Sequence, residues 1–598
     1  MIYDSKKLQE MSRAVRSAAL ASIISARSGH VGIVLGAADV VTDIFANHLR
    51  RGTDRFVLSA GHGSALLYAV LKLAGYALPP LESFRKIGGL PGHPEFGIPG
   101  VFATTGPLGQ GIGNAAGLAL ADKMGKGDGR VYCLCSDGDL MEGVAQEAIA
   151  FAGRYRLNNL IVVWDDNGIS IDGAALTDMD VPMRMEAAGW HVMSIDGHDF
   201  EQISDALDDA ANCDGPVFIQ AKTTLGQGSS VAGTPRAHGL GVDLGELGRL
   251  ADELHSDKGL ELWGEVSSTS SHGDDVVPAW TVPDMTPLNM TWDVGVDIST
   301  RELSGMFLAR LMSNDNCIVL GSADLGGSTN VKSDATHAIN PGEFTGNYVN
   351  YGVREHAMGA VMNGLAAAGM RPIGSTFLVF SDYMRPSIRL AALSGLPVIY
   401  VFTHDSIAVG EDGPTHQPIE QLPSLRLMPN LNVLRPCNGP EVAFSWTYAL
   451  SDTARPSCIV LSRQKVWQMS VPESADMSRG AYIIKPAASR RVRATLIATG
   501  SEVPLAADVA EKLGDDVQVV SMPCVSMFRG QSDEFKKEIL RGYVVAIEAA
   551  AGAPWFEFAD AVVGIDEFGA SGDGAAVYKQ CGFDADAIAR QIKKYLNK

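Results

Sequence analysis

Cysteine chemistry has little to work with in this chain. Its eight cysteines are scattered, only Cys133 and Cys135 lie close together, and no C-x-x-C or zinc-type grouping occurs. That excludes a thiolate metal site or dithiol redox motif built on local spacing, and the cysteines read as reduced, buried thiols of a cytoplasmic protein. Basic charge is in deficit, with 48 Lys and Arg against 69 Asp and Glu and a net charge of −21. General binding to nucleic acid or to an anionic membrane is therefore excluded, although a local basic pocket for a phosphate is not. No apolar run reaches membrane-spanning length. The opening MIYDSKKLQEMSRAVRSAAL has Asp4 and amphipathic spacing in place of an apolar block, so no signal peptide is expected. Biased tracts and solenoid or propeller repeats are missing too.

What is present is a globular composition, 46% apolar and rich in glycine with 65 residues, over 598 positions. One core cannot serve that length; about three to four domains of roughly 150 to 200 residues can. Short β-rich runs alternate with helical patterns, which predicts α/β layers with parallel sheets. Strands are legible in RVYCLC (130–135), NLIVVWDD (159–166), PVFIQAKT (216–223), NCIVLGSAD (316–324), LPVIYVFTHD (396–405), PSCIVLSR (456–463), RATLIATG (493–500) and GYVVAIEA (542–549). Ligands of open α/β sheets sit beyond the carboxyl ends of strands, so the polar residues after these runs are the first candidates. A Ser-, Asp- and Pro-rich texture over 241–291 reads as a linker, and a second joint falls at 467–484. Three consecutive domains are expected, at 1–240, 292–466 and 485–598.

Two local patterns carry chemistry. TTGPLGQGIGNAAG (104–117) contains Gly111-x-Gly113-x-x-Ala116, formally a dinucleotide fingerprint, but the residues before it are loop-like where a strand is required. The alternative is a glycine-rich loop feeding the helix GIGNAAGLALADKM, whose free N–H groups suit a diphosphate. After RVYCLC comes Ser136-Asp137-Gly138, and after NLIVVWDD comes Asn167-Gly168-Ile169. A carboxylate and an amide at neighbouring strand ends are hard oxygen ligands for Mg²⁺ or Ca²⁺; each alone is also a common turn former. A third feature is an acid, Glu355, near the start of YGVREHAMGAVMNGLAAAGM (351–370), a helix of small and apolar residues. Taken alone it reads as an acid facing the helix dipole.

Together these patterns resemble the transketolase family of thiamine diphosphate enzymes. SDGDLMEG…DDNGISIDG matches its cofactor-diphosphate signature, with Ser136 in place of the usual glycine. The similarity continues through SGHVGIVLGAAD (28–39), FVLSAGHGSALLY (56–68), LPGHPE (90–95), KTTLGQGS (222–229), YGVREHAMGAVMNG (351–364), STFLVFSDY (375–383), THDSIAVGEDGPTHQP (403–418), LSRQ (461–464) and FGASG (568–572). It touches all three expected domains. The resemblance implies two thiamine diphosphate-binding-fold domains with parallel sheets, a diphosphate-binding and an aminopyrimidine-binding one, then a smaller C-terminal α/β domain. It also implies a cytoplasmic homodimer with active sites at the interface. The implied reaction is reversible transfer of a two-carbon ketol unit, through a cofactor carbanion, from xylulose 5-phosphate to ribose 5-phosphate or erythrose 4-phosphate.

The resemblance assigns roles by position. Glu355 hydrogen-bonds N1′ of the aminopyrimidine, and a buried acid with a raised pKa suits that task. Phe377, Phe380 and Tyr383, a three-residue spacing that otherwise means core, match the pocket stacking on the aminopyrimidine. Gly106, Pro107, Leu108, Gly138, Asn167, Ile169 and Leu325 match other cofactor contacts, and Asp137, Asn167 and the Ile169 carbonyl match the ligands of Mg²⁺, or of Ca²⁺ in its place. Of thirteen histidines, six fall in matching motifs. His30 and His238 are assigned to the substrate carbonyl and C1 oxygens, His93 to the C1 hydroxyl, His416 to the region of the 4′-nitrogen and His62 to the cofactor. Neutral imidazoles suit proton transfer at these oxygens. Arg301, Ser328, His404 and Arg463 match a terminal-phosphate subsite suited to the arginine fork, and Asp412 the reader of the acceptor's C2 hydroxyl. Val31 stands where proline is usual and Ala60 where asparagine is; neither removes a proposed catalytic group. The rivals are 1-deoxyxylulose 5-phosphate synthase, dihydroxyacetone synthase, a silent paralogue that only binds, and a nicotinamide dehydrogenase resting on the glycine match.

Overall fold

The computed structural model describes residues 3–125, 127–175, 179–269, 280, 282, 290–313 and 318–596. The chain divides into two compact units: residues 1–279, 340–345 and 356–370 form one, and 280–339, 346–355 and 371–598 the other. Each legible apolar run contains a strand, and these runs are apolar without alternation because parallel sheets are covered on both faces.

The first unit is built on a five-stranded parallel sheet in the order 55–58, 131–136, 160–166, 217–222, 191–196. The glycine-rich segment is a loop as far as Gly109 and then the helix Gln110–Met124. This helix meets the one spanning Glu355–Ala367 at backbone distance: a Cβ on Gly117 would lie 2.0 Å from the Val361 carbonyl oxygen, and one on Gly364 would lie 2.0 Å from that of Asn114. The small residues of 351–370 thus serve the close approach their composition suggested.

The stretch expected to be a linker differs from that expectation. Helices Leu244–Leu254 and Asp257–Thr269 occupy its first half. Leu247, Leu262 and Trp263 join the core that surrounds the helix Ser5–Ala26, and Trp263 Nε1 donates to the Met11 carbonyl at 3.1 Å. The remainder, 270–279, 281 and 283–289, lies outside the described residues. The cysteines also differ in part: Cys133, Cys135, Cys437, Cys458 and Cys524 are buried, Cys213 is half-buried and Cys581 is exposed. Among the described residues no helix is long and apolar enough to cross a membrane.

The second unit holds two larger sheets. One has six parallel strands in the order 348–350, 318–322, 371–377, 399–403, 457–461, 432–434. The other has five, in the order 482–485, 517–521, 494–498, 543–547, 561–563, of which Tyr482–Lys485 alone runs antiparallel. That strand begins inside the expected second joint, because Tyr482 and Ile484 pack into the apolar core that covers this five-stranded sheet.

Trp263→Ala is expected to destabilise the first unit by about 3–5 kcal/mol, the usual cost of truncating a buried tryptophan. Chemical denaturation monitored by a probe in the first sheet measures this; an unchanged midpoint would show that residues 244–269 contribute nothing to that core.

Candidate active site

Because the strands of the first sheet run parallel, their carboxyl ends share one edge. A cavity of about 390 Å³ there is lined by His62, Gly106, Leu108, Asp137, Gly138, Asn167, Ile169, Leu225 and His238, among others. Asp137 opens the short helix after strand Val131–Ser136 and is 3% exposed. Both of its carboxylate oxygens are buried, and among the described residues neither has a hydrogen-bond partner. Burial pushes its pKa up to about 7, assisted by the negative charges of Asp165 and Asp166. The Trp164 indole N–H offsets this only weakly and closes no hydrogen bond. Asn167 Nδ2 donates to Asp165 Oδ2 at 3.1 Å, and its Oδ1 accepts from the Ile169 N–H at 3.2 Å.

These residues fit a diphosphate held through a cation. A buried carboxylate with unspent oxygens beside two further acids is a site short of positive charge. Gly106 has φ +130°, and a Cβ there would lie 3.3 Å from the His93 ring; one on Gly138 would lie 2.9 Å from Leu108 Cδ1. A side chain at Gly106 is strained by its φ, and one at Gly138 would displace the Leu108 methyl beside the cavity. Among the described residues no group of three or more His, Cys, Asp or Glu side chains is placed to hold a metal. A cation would therefore rely on one carboxylate, an amide, a backbone carbonyl and oxygens of the diphosphate, which suits Mg²⁺ or Ca²⁺.

Four histidines gather beside this cavity. Ring centroids lie 5.4 Å apart for His30 and His62, 5.5 Å for His30 and His238, 5.2 Å for His62 and His238, and 6.2 Å for His30 and His93. Burial drives all four pKa values down, to about 4 for His30 and about 3 for His62, and neighbouring charge deepens the shift at His30, His62 and His93. They are neutral near pH 7.

In the second unit the six-stranded sheet gathers its own set at its carboxyl edge. Glu355 is 7% exposed and opens the helix Glu355–Ala367. Burial raises its pKa, and Thr376 Oγ1 donates to it at 3.4 Å. Phe377 ends strand Arg371–Phe377, and its ring stands 6.0 Å from Phe380, which stands 6.0 Å from Tyr383. His416 meets the Phe380 ring at 5.2 Å, and His404 stacks on Phe377 at 3.7 Å. Arg301 Nη1 donates to the Ser328 carbonyl at 2.7 Å, while its Nε is buried and has no partner among the described residues. Burial, then the charges of Arg301 and Arg463, lower the His404 pKa to about 3. Two guanidiniums that repel each other, beside an imidazole they help keep neutral, mark a place for an anion.

Three family models match consecutive stretches of the chain. "Transketolase, thiamine diphosphate binding domain" matches residues 7–266, "Transketolase, pyrimidine binding domain" 296–468 and "Transketolase-like TK C-terminal domain" 480–584. A curated transketolase of Cereibacter sphaeroides is 40% identical, with 98% of each chain covered. The chain belongs to the transketolase family. Its solved structural relatives include the transketolase of Campylobacter jejuni, at 37% identity and TM-score 0.90 with 99% of this chain and 100% of that one covered. A Pichia stipitis transketolase described in complex with xylulose 5-phosphate is 33% identical, with TM-score 0.91 and 99% and 98% covered. The protein is thus a transketolase-family transferase with a thiamine diphosphate-binding domain, and it moves a two-carbon ketol unit from a ketose phosphate to an aldose phosphate.

Not every candidate of the transketolase pattern falls in a cluster. Asp412 ends the 3₁₀ segment Ile407–Asp412 and is exposed. Leu325 is half-buried just after strand Ile318–Ser322, where its N–H meets Ser322 Oγ at 3.0 Å. Pro107 is exposed on the glycine loop.

Two residues escaped the sequence reading. Asp139 is fully buried and accepts from Ser59 Oγ at 2.6 Å, Gly109 N–H at 2.7 Å and Ser136 N–H at 2.9 Å, so it ties the glycine loop to the strand end. The signal lay in Asp137-Gly138-Asp139, where a second acid sits two positions on. Arg85, in the left-handed region at φ +56°, reaches Ser28 Oγ at 2.6 Å and His30 Nδ1 at 3.3 Å. A guanidinium only donates, so His30 Nδ1 accepts and its ring proton sits on Nε2.

The depressed histidines give a sign to acid sensitivity. An unfolded chain takes up these protons below about pH 6.5, whereas folded His30 and His62 hold out to about 4 and 3. Stability is therefore expected to fall as pH drops from about 6.5 toward 4. Denaturant midpoints against pH check this: the double variant His30→Asn, His62→Asn should show a shallower slope than the parent, and an identical slope would refute the neutral-imidazole account.

Proposed function

We propose that the residues carried over from the family pattern perform its ketol transfer in this chain, with xylulose 5-phosphate as donor and ribose 5-phosphate or erythrose 4-phosphate as acceptor. The sugar named for the Pichia stipitis relative supports the donor class. The observation that carries this reading is Glu355, an acid at a helix start, withdrawn from water and pushed toward its neutral form by burial. When bound, thiamine diphosphate supplies an electron sink. Glu355, protonated, would hold N1′ of the aminopyrimidine, Phe377, Phe380 and Tyr383 would form its aromatic pocket, and His416 would serve the region of its 4′-nitrogen. Asp137, Asn167 and the Ile169 carbonyl would hold Mg²⁺ or Ca²⁺ for the diphosphate, and Gly106, Pro107, Leu108, Gly138, His62 and Leu325 would be the further cofactor contacts. His30, His93 and His238, neutral, exchange protons with the sugar's oxygens. Arg301, Ser328, His404 and Arg463 take the terminal phosphate, and Asp412 the acceptor's C2 hydroxyl.

The same reading includes a homodimer in the cytoplasm, within the pentose phosphate pathway. The diphosphate half of each site comes from one chain and the aminopyrimidine half from its partner. Exposed apolar side chains beside both halves support this: Met141 and Ile171 in the first unit, Val353 and Tyr383 in the second, each between 49% and 74% exposed. Three domains are proposed at 1–240, 292–466 and 485–598, with helices 244–269 attached to the first and strand Tyr482–Lys485 to the third.

Glu355→Gln is expected to keep thiamine diphosphate affinity within about tenfold while lowering kcat by about 10²–10⁴, since shape survives and the exchangeable proton does not. Titration of the cofactor and a coupled assay on xylulose 5-phosphate plus ribose 5-phosphate measure the two; wild-type turnover in this variant would sink the assigned role. CO₂ release from pyruvate would indicate the synthase instead, and formaldehyde outcompeting ribose 5-phosphate as acceptor would indicate dihydroxyacetone synthase.

Asp137→Ala is expected to abolish Mg²⁺-dependent binding of thiamine diphosphate at millimolar metal. Calorimetry with and without Mg²⁺ tests it, and retained metal dependence would place the cation elsewhere.

A further inference from the structure

A buried charge cluster in the second unit has no part in the chemistry above. Arg435, 0% exposed, comes directly after strand Asn432–Leu434. It meets Asp405 Oδ2 at 2.8 Å through Nη2 and at 3.0 Å through Nε, Glu502 Oε2 at 2.5 Å, and Thr499 Oγ1 at 3.0 Å. Glu548 accepts from Arg426 at 2.7 and 2.9 Å and from Trp555 Nε1 at 2.7 Å. Three carboxylates and two guanidiniums are thus withdrawn from water. Apolar packing commonly serves stability as well as such a set, so its use lies in the geometry it imposes.

What it fixes is the segment 404–413. His404 has φ +61°, a left-handed conformation that a side chain adopts only when its surroundings enforce it. The next residue, Asp405, is the one gripped twice by Arg435. The one after, Ser406, has its Oγ 2.9 Å from the Tyr578 hydroxyl, which donates to Glu502 at 3.0 Å. Further along, a Cβ on Gly410 would lie 3.0 Å from both the Gly572 carbonyl oxygen and the Gly574 nitrogen. Gln417 Nε2 donates to the Gly410 and Ala570 carbonyls, each at 3.0 Å. Residues 499–578 therefore wall this segment from one side, and FGASG (568–572), a motif with no role so far, supplies part of the wall.

We infer that the C-terminal region is a positioning device for sugar-phosphate recognition. Arg435, Glu502 and Tyr578 hold 404–413 in the one conformation that presents His404 to the phosphate alongside Arg301 and Arg463, and Asp412 to the acceptor. They are positioning residues, none of them touching substrate or cofactor. The inference rests on the assignment of His404 and Asp412 to the sugar phosphate.

The test uses the full-length enzyme saturated with thiamine diphosphate and Mg²⁺, and compares Tyr578→Phe and Glu502→Gln with the parent. Two acceptors are assayed, ribose 5-phosphate and glycolaldehyde, the latter lacking both a phosphate and a C2 stereocentre. The expected result is a KM for ribose 5-phosphate raised about tenfold, the scale of one lost hydrogen bond to a charged group, with kcat and the KM for glycolaldehyde within about twofold. Equal losses with both acceptors, or no change with either, would overturn the inference. Arg463→Ala is the control on the underlying assignment: if it leaves the KM for ribose 5-phosphate unchanged, the phosphate subsite itself is misassigned. If it raises that KM while both positioning variants behave as the parent, only the positioning role fails. Should Glu502→Gln fold poorly, Tyr578→Phe carries the comparison, because it removes one hydroxyl and no charge.

Discussion

A carboxylate taken out of water must be compensated, and the way each buried acid meets that cost separates scaffold from site in this enzyme. Asp139 is fully enclosed and spends its oxygens on Ser59, Gly109 and Ser136. Glu548 is equally enclosed, and the guanidiniums of Arg426 and Arg435 hold its pKa down at about 2 despite burial. Glu441, 0% exposed, accepts from Ser521, Tyr482 and the Cys437 N–H. Asp137 and Glu355 are different. The first has no partner for either oxygen and the second has a single long hydrogen bond from Thr376. Burial raises the pKa of both, as it does those of Asp139 and Glu441, so it is the shortage of hydrogen-bond donors that sets them apart and leaves their compensation to something that binds.

The same division runs through the cations. Arg435 and Arg426 are matched to carboxylates in a closed set, which rigidifies the backbone around them. Arg301, with a buried unpartnered Nε and the charge of Arg463 nearby, is left short of an anion. A chain with a net charge of −21 thus keeps two guanidiniums close together at the edge of the six-stranded sheet, a local field opposite in sign to the overall charge.

Much of this was legible in the sequence because parallel sheets impose a simple grammar. Apolar runs of five to seven residues had to be buried strands, and the residues just after them had to share an edge, which puts Asp137, Asn167, Phe377, His404 and Arg463 at the carboxyl ends of their own sheets. The helices at 244–269 were hidden by their neighbour in the chain: the Ser-, Asp- and Pro-rich tract beyond residue 269 dominates the local composition, although Leu247, Leu250 and Leu254 keep a helical spacing. In Asp137-Gly138-Asp139, nothing local says which acid is anchored and which is free, since that depends on donors at Ser59 and Gly109. The same limit hid Arg85 from His30 and Arg435 from Glu502. Ion pairs between distant segments leave no periodic trace.

Histidine shows how far composition and position can each be pushed. An imidazole alone titrates near neutrality and would be charged or neutral depending on small effects. Here His30, His62, His93 and His238 crowd within 6.2 Å along the His30-centred and His62–His238 pairs, so protonating any one raises the cost of protonating the others. Arg85 adds a fixed positive charge at His30 and His93. Burial keeps all four rings neutral, and neighbouring imidazoles deepen the shift at His30 and His62; neutrality is what lets a ring both accept and donate. A single histidine in the same cavity would have desolvation alone to keep it so; at His30 and His62 the neighbouring imidazoles add to it, so the protonation state of those two rings depends on the group around them.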